Sequence, residues 1–185
     1  MDRDRRRFLQ GTGLVLSAAA AGELLLLSPT AARAAGLPYQ VLTDQEAATL
    51  EALAETIVPG AQEAGIAHYI DRQLALPPAD SMLMLKYLGV EPGNFAGFYQ
   101  GGLAAADRLA TAGSGKPWPQ LELARRTALL TAMATDQAEG WNGPPSSFFI
   151  FVTRSDACDV VYGTEEGFAR IDMPYMAHIA PPQPW

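Results

Sequence analysis

Few residues in this chain are of a kind that does chemistry, and their spacing decides what they could do. Asp156 and Asp159 lie three positions apart, and Glu165 and Glu166 are adjacent. Paired carboxylates do general acid–base work when burial drives their two proton affinities apart. In so acidic a chain a solvated face is the simpler reading of both pairs. Cys158 is the single cysteine, and the two histidines, His68 and His178, are far apart in the sequence. One thiol and two remote imidazoles lack the close spacing of a zinc ligand set. His68, beside Tyr69, reads as an exposed or hydrogen-bonded helix residue, and His178 sits in an aperiodic tail. The run Gly113-Ser114-Gly115-Lys116-Pro117 places proline where a phosphate-binding loop needs serine or threonine, and Ala110 where its first glycine would stand. No G-x-G-x-x-G follows a strand and no C-x-x-C-H is present. The expectation is that this chain holds no catalytic, cofactor-binding or metal-binding residue of its own.

The elements that carry these residues read as helical. Thr43-Asp44-Gln45-Glu46 is a capping box, and Ala47, Leu50, Leu53, Ala54 and Ile57 recur behind it at helical spacing until Pro59-Gly60. A second helix is expected over Gln62 to Leu76, with Ile66, Tyr69, Ile70 and Leu74 inward and Pro77-Pro78 as its stop. Ser81 to Gly89 reads as a short apolar helix. Asn94 to Ala112 reads as a longer one, whose paired Gly101-Gly102 predicts the close approach of another backbone. Gln120 to Glu139 follows, with Leu121, Ala124, Ala128 and Ala132 inward and Leu129 and Met133 beside them. The last helix is expected to start at a Ser146 or Ser147 cap, with Phe148, Phe151, Val152, Ser155, Cys158 and Tyr162 on one stripe. Alternating strand runs and internal repeats are absent. The fold class is all-α, a single compact bundle of five or six helices ending in an extended irregular tail over about 163–185.

The opening is of a different kind. Arg3 and Arg5 to Arg7 form a basic head. Gly11 to Leu27 is almost wholly apolar with Glu23 as its one charge, and Ala32-Arg33-Ala34 fits an A-x-A processing site. That is the plan of an export leader. The apolar run falls short of the roughly 20 residues of a membrane span, contains Glu23 and breaks at Pro29. Arg5-Arg6 with Phe8-Leu9 at the right offset fits the twin-arginine pattern, and Gly11 and Gly13 dilute the apolar run in a way that suits that route. Residues 1–34 are therefore expected to be a twin-arginine leader and 35–185 the helical domain. With 5 of the 13 basic and 3 of the 20 acidic residues in the leader, the domain keeps 8 and 17, a net charge of −9. Such a surface repels nucleic acid and anionic headgroups, so neither is an expected partner. An unpaired cysteine in an exported chain is either a buried thiol or one half of an interchain disulfide.

From about Leu42 to Trp185 the chain resembles the gluconate 2-dehydrogenase subunit 3 family, the small subunits of exported flavin-dependent sugar and sugar-acid dehydrogenases. The resemblance is carried by LTDQEAATLEALAETIVPG at 42–60, by Phe148-Phe149, and above all by YGTEEGFARIDMPYMAHIAPPQPW at 162–185. Ile171-Asp172 departs from it, a more neutral pair being expected there. The resemblance implies a large FAD-bearing partner of the glucose-methanol-choline oxidoreductase type, in many complexes a multihaem cytochrome c subunit, and passage of the assembly through the twin-arginine translocase to the periplasm. There it would sit at the outer face of the cytoplasmic membrane. The small subunit lends the leader; the sugar chemistry belongs to the partner. On this reading Cys158, Phe168, Met173, Tyr175, Met176, Ile179 and Trp185 are the expected partner-binding residues, with the tail either docking on the partner or wrapping its own core. The other readings are an independent periplasmic enzyme and a small-molecule binding protein.

Overall fold

The structure is a computed structural model that describes residues 16–20 and 23–174. Arg5, Arg6, Phe8 and Leu9 at one end, and Tyr175, Met176, His178, Ile179 and Trp185 at the other, lie outside the described residues. Leu16–Ala20 (β1) pairs antiparallel with Glu23–Leu27 (β2), Leu16 facing Leu27 and Ala20 facing Glu23. This pairing departs from the strand-free reading. Its segments, Leu16–Ala20 and Glu23–Leu27, are short and mostly apolar without alternation, and periodicity does not settle the state of such runs. Everything described after β2 is helix and connection, so the domain is all-α as expected.

Eight α-helices follow among the described residues: α1 Pro29–Ala34, α2 Asp44–Ile57, α3 Ile66–Ala75, α4 Met84–Tyr87, α5 Phe95–Ser114, α6 Leu123–Ala134, α7 Ser146–Tyr162 and α8 Glu165–Arg170. The five with ten residues or more are the long helices anticipated from spacing. None of the described helices is long and apolar enough to cross a membrane. The capping box forms as read. Thr43 Oγ1 accepts from the Glu46 N–H at 3.2 Å, and the Glu46 carboxylate accepts from the Thr43 N–H at 2.8 Å. Behind it Ala47, Leu50, Leu53 and Ala54 are buried.

Three boundaries differ from expectation, each for a local reason. α3 starts at Ile66, because the Glu55 carboxylate draws the N–H groups of Gly60 and Gln62 into a turn. α6 stops at Ala134, where Asp136 takes a positive φ of 55°, and it buries Leu129, Leu130 and Met133 rather than Ala124, Ala128 and Ala132. Thr164 caps α8 by accepting from the Gly167 N–H, so the start of the expected irregular tail is helical.

Of the paired glycines, Gly101 meets another backbone as expected, since a Cβ on Gly143 would come within 3.2 Å of the Gly101 carbonyl, whereas Gly102 meets a side chain. Gly102 is buried in α5, and a Cβ there would overlap the ring of Phe149 from α7. An aromatic side chain, not a backbone, occupies the notch. Phe149 is fully buried and lies near the rings of Phe98, Tyr99 and Trp141 at centroid distances of 5.6, 6.3 and 5.9 Å. Edge-on and tilted arrangements of this kind contribute beyond the area they bury.

The segment entering the domain is fastened along α3 at three-residue intervals. Gly65, just ahead of α3 at φ 83°, leaves room for the Pro29 carbonyl, which a Cβ would overlap. His68 Nε2 bonds the Leu37 carbonyl at 3.0 Å, and its ring packs on Tyr39 at 4.7 Å. The Asp71 carboxylate accepts from the N–H groups of Gln40, Val41 and Leu42 at 2.8, 2.8 and 2.9 Å. Asp71→Ala leaves three donors without their acceptor, one of them buried. At the worth of hydrogen bonds to charged groups, a loss of about 2–3 kcal/mol is expected, read as a lower urea midpoint at unchanged slope.

Candidate functional site

The strongest candidate for chemistry is a polar cluster in the core. Asp156 is the midpoint of the buried face of α7, which runs Phe149, Val152, Thr153, Asp156, Ala157, Val160. This corrects two expectations. Asp156 is fully buried rather than solvated, and the stripe expected to carry Phe151 and Ser155 turns Phe151 outward. The Asp156 carboxylate accepts from the Met84 N–H at 2.8 Å, where α4 begins, and from the Tyr99 hydroxyl of α5. It therefore ties three helices together. Burial pushes its carboxyl up to about 7, against the opposing pull of the Tyr99 hydroxyl and the Met84 N–H; Asp159 adds a small upward push. Burial likewise raises Tyr99 well above its ordinary value, helped by Asp156, and raises Tyr69 for the same reasons. Burial also raises Asp159.

A raised carboxyl next to a tyrosine could move a proton, but a reaction needs a place for substrate. Two of the surface recesses formed by described residues are deep enough to consider. One, of about 350 Å³, lies between Ser28, Thr30, Glu63, Val160, Thr164 and Arg170. The other, of about 260 Å³, lies between Gln45, Glu46, Thr49, Leu103, Ala104 and Asp107. Neither is lined by Asp156, Tyr99 or Tyr69.

Other acids are engaged with backbone. Asp107 accepts from the Trp118 N–H at 2.9 Å, from Thr49 Oγ1 at 3.1 Å and from Gln45 Nε2 at 2.8 Å. Asp136 accepts from the Ser147 N–H at 2.9 Å and from the Ser146 and Ser147 hydroxyls; those bonds, led by the Ser147 hydroxyl, hold its carboxyl below the usual range. The N-terminal turn of α7 is thus served by a carboxylate from beyond α6, while the Ser146 hydroxyl donates to the Met133 carbonyl at 2.8 Å. Sequence reasoning missed Asp71, Asp107 and Asp136 because each serves a segment distant in sequence. Among the described residues, no group of three or more His, Cys, Asp or Glu could hold a metal ion.

Of the expected partner-binding residues, Cys158, Phe168 and Met173 lie among the described residues. Cys158 is half-buried against the core, and burial raises its thiol against the opposing charge of Arg154. Phe168 is half-buried in α8. Met173 is 53% exposed beside Ile171. Met82, Tyr87 and Leu88, around α4, are exposed as well; the sequence reads that stretch as a short apolar helix and does not tell which of its residues face outward.

The gluconate 2-dehydrogenase subunit 3 family pattern matches residues 44–178, and this chain belongs to that family. It is accordingly a small subunit of a dehydrogenase complex. Comparison with curated proteins and with solved structures finds no match.

Proposed function

We propose that this chain is the non-catalytic small subunit of a periplasmic FAD-dependent sugar, sugar-acid or polyol dehydrogenase. In this reading it clasps the flavin-bearing large subunit, of the glucose-methanol-choline type, and lends it a twin-arginine leader. A multihaem cytochrome c is the further partner that would take the electrons onward. The observation that carries the reading is one chain with two unlike parts. It opens with Arg5-Arg6-x-Phe8-Leu9, and the family domain behind it spends its buried carboxylates on backbone N–H groups. Such a domain has no cofactor chemistry of its own that would require folding before export; a flavoprotein loaded in the cytoplasm does.

The test is an Arg5→Lys/Arg6→Lys chain expressed with its large subunit. The expected result is loss of the flavoprotein from the periplasm, with folded, FAD-loaded protein accumulating in the cytoplasm. Undiminished periplasmic flavoprotein overturns the reading.

A further inference from the structure

The Ala32-Arg33-Ala34 triplet that reads as a processing site is the last half of α1, and the fold holds it tightly. A leader peptidase binds such a triplet extended, with its two small side chains in pockets and its backbone paired to the enzyme. In the structure Ala32 is 1% exposed. The carbonyls of Ala31, Ala32 and Arg33 already accept from the N–H groups of Ala35, Leu37 and Gly36 at 3.0, 3.1 and 3.0 Å. Ala34 and Ala35 are exposed, but one of the two small side chains and the backbone carbonyls that recognition needs are in use.

The helix is also fitted to the domain. Ser28 caps it, its hydroxyl accepting from the Ala31 N–H at 3.1 Å. Pro29 is buried, and its carbonyl occupies the space left by the missing Cβ of Gly65. Thr30 Oγ1 donates to the Ala64 carbonyl at 3.3 Å. Arg33 pairs with Glu51 of α2 at 3.3 Å. A cut after Ala34 would remove all of these at once, although α1 lies ahead of the family match at 44–178.

We propose that the domain begins at Ser28 and that α1 withholds the Ala34–Ala35 bond from processing in the folded chain. Any leader removed on export is then cut upstream of Ser28, and α1 stays as a clip across α2 and α3. The biological occasion rests on the export reading, but the clip itself does not.

Two measurements test it. Trypsin cuts after Arg33, so the purified full chain is digested under native conditions beside a synthetic peptide of residues 28–40. Cleavage of a docked helix needs local opening, and the Arg33–Ala34 bond in the folded chain is expected to be cut about 100-fold more slowly than in the peptide or slower. Gly65→Ala, which displaces Pro29, is expected to restore fast cutting at Arg33. Phe149→Leu, which weakens the core away from α1, is not. Equal rates in the folded wild-type chain and the peptide overturn the proposal even if the Gly65 variant does not fold. In the second measurement, intact mass of the periplasmic form is expected to place its first residue at or before Ser28; a form starting at Ala35 overturns the proposal. A chain found only in the cytoplasm overturns the export reading instead, and the Arg33 rate then decides the clip.

Discussion

Gly102→Val is expected to unfold or nearly unfold this domain, and Phe149→Ala to cost about 3–5 kcal/mol, the usual range for emptying a large aromatic site. The two belong to one contact. A Cβ at position 102 would overlap the Phe149 ring, and the ring is held by Tyr99, Phe98 and Trp141 as well as by its own helix. A side chain added there has no direction in which to push, because the obstacle is the middle of a buried ring rather than the end of a flexible chain. A small domain is stable by only about 5–15 kcal/mol, so either change removes a large fraction of the total. The diagnostic case is the pair Gly102→Ala with Phe149→Leu. Trimming the ring makes space for the added methyl, so the double variant is expected to be more stable than the sum of the two single losses predicts. Urea unfolding of the four proteins measures this coupling. Additive losses would show that the helices part at this point at no cost.

The second large effect is a pH dependence carried by Asp156. Its carboxyl is pushed up to about 7 in the folded chain from an ordinary value of 3.8. Between those values the folded state holds a proton that the unfolded state has released. Stability therefore falls as pH rises through this window, and the contribution of the protonated form is gone above about 7. A shift of that size corresponds to about 3–4 kcal/mol between pH 4 and pH 8. Asp159, also raised, acts in the same direction. Asp156→Asn keeps an oxygen for the Met84 N–H and cannot ionise. Compared with the parent, it is expected to be less stable or equal near pH 4 and more stable at pH 8, with the two urea-midpoint curves crossing between. Parallel curves would show that ionised Asp156 is at ease in the core.

How much of this was legible in the sequence varies with how local the cause is. The Thr43–Glu46 capping box spans four residues, and it formed as read. Pro77-Pro78 ends the second long helix within a residue or two of its expected stop. The stripe of α7 was misread because Asp156 was counted as surface. With a carboxylate left out of the inward set, Phe151 and Ser155 fill the pattern in its place; the Tyr99 hydroxyl and the Met84 N–H, 57 and 72 positions away, explain why a carboxylate can sit inward. The overrun of α6 has the same character, since nothing near Asp136 announces that it serves the N-terminus of α7. α1 was concealed for another reason. Small residues suit a processing site and a tightly packed helix equally, and the cavity that distinguishes them is at Gly65.

The family membership rests on the pattern over 44–178, not on any single residue.

The joining of α4, α5 and α7 through Asp156 has a consequence for how the chain is made. Phe149 and Asp156 stand near the end of the sequence, while Gly102, Tyr99 and Met84 stand in its middle. During synthesis the middle is therefore translated well before the ring and the carboxylate that lock it. Until both are made, the notch at Gly102 stands open and the Met84 N–H lacks the carboxylate that accepts from it.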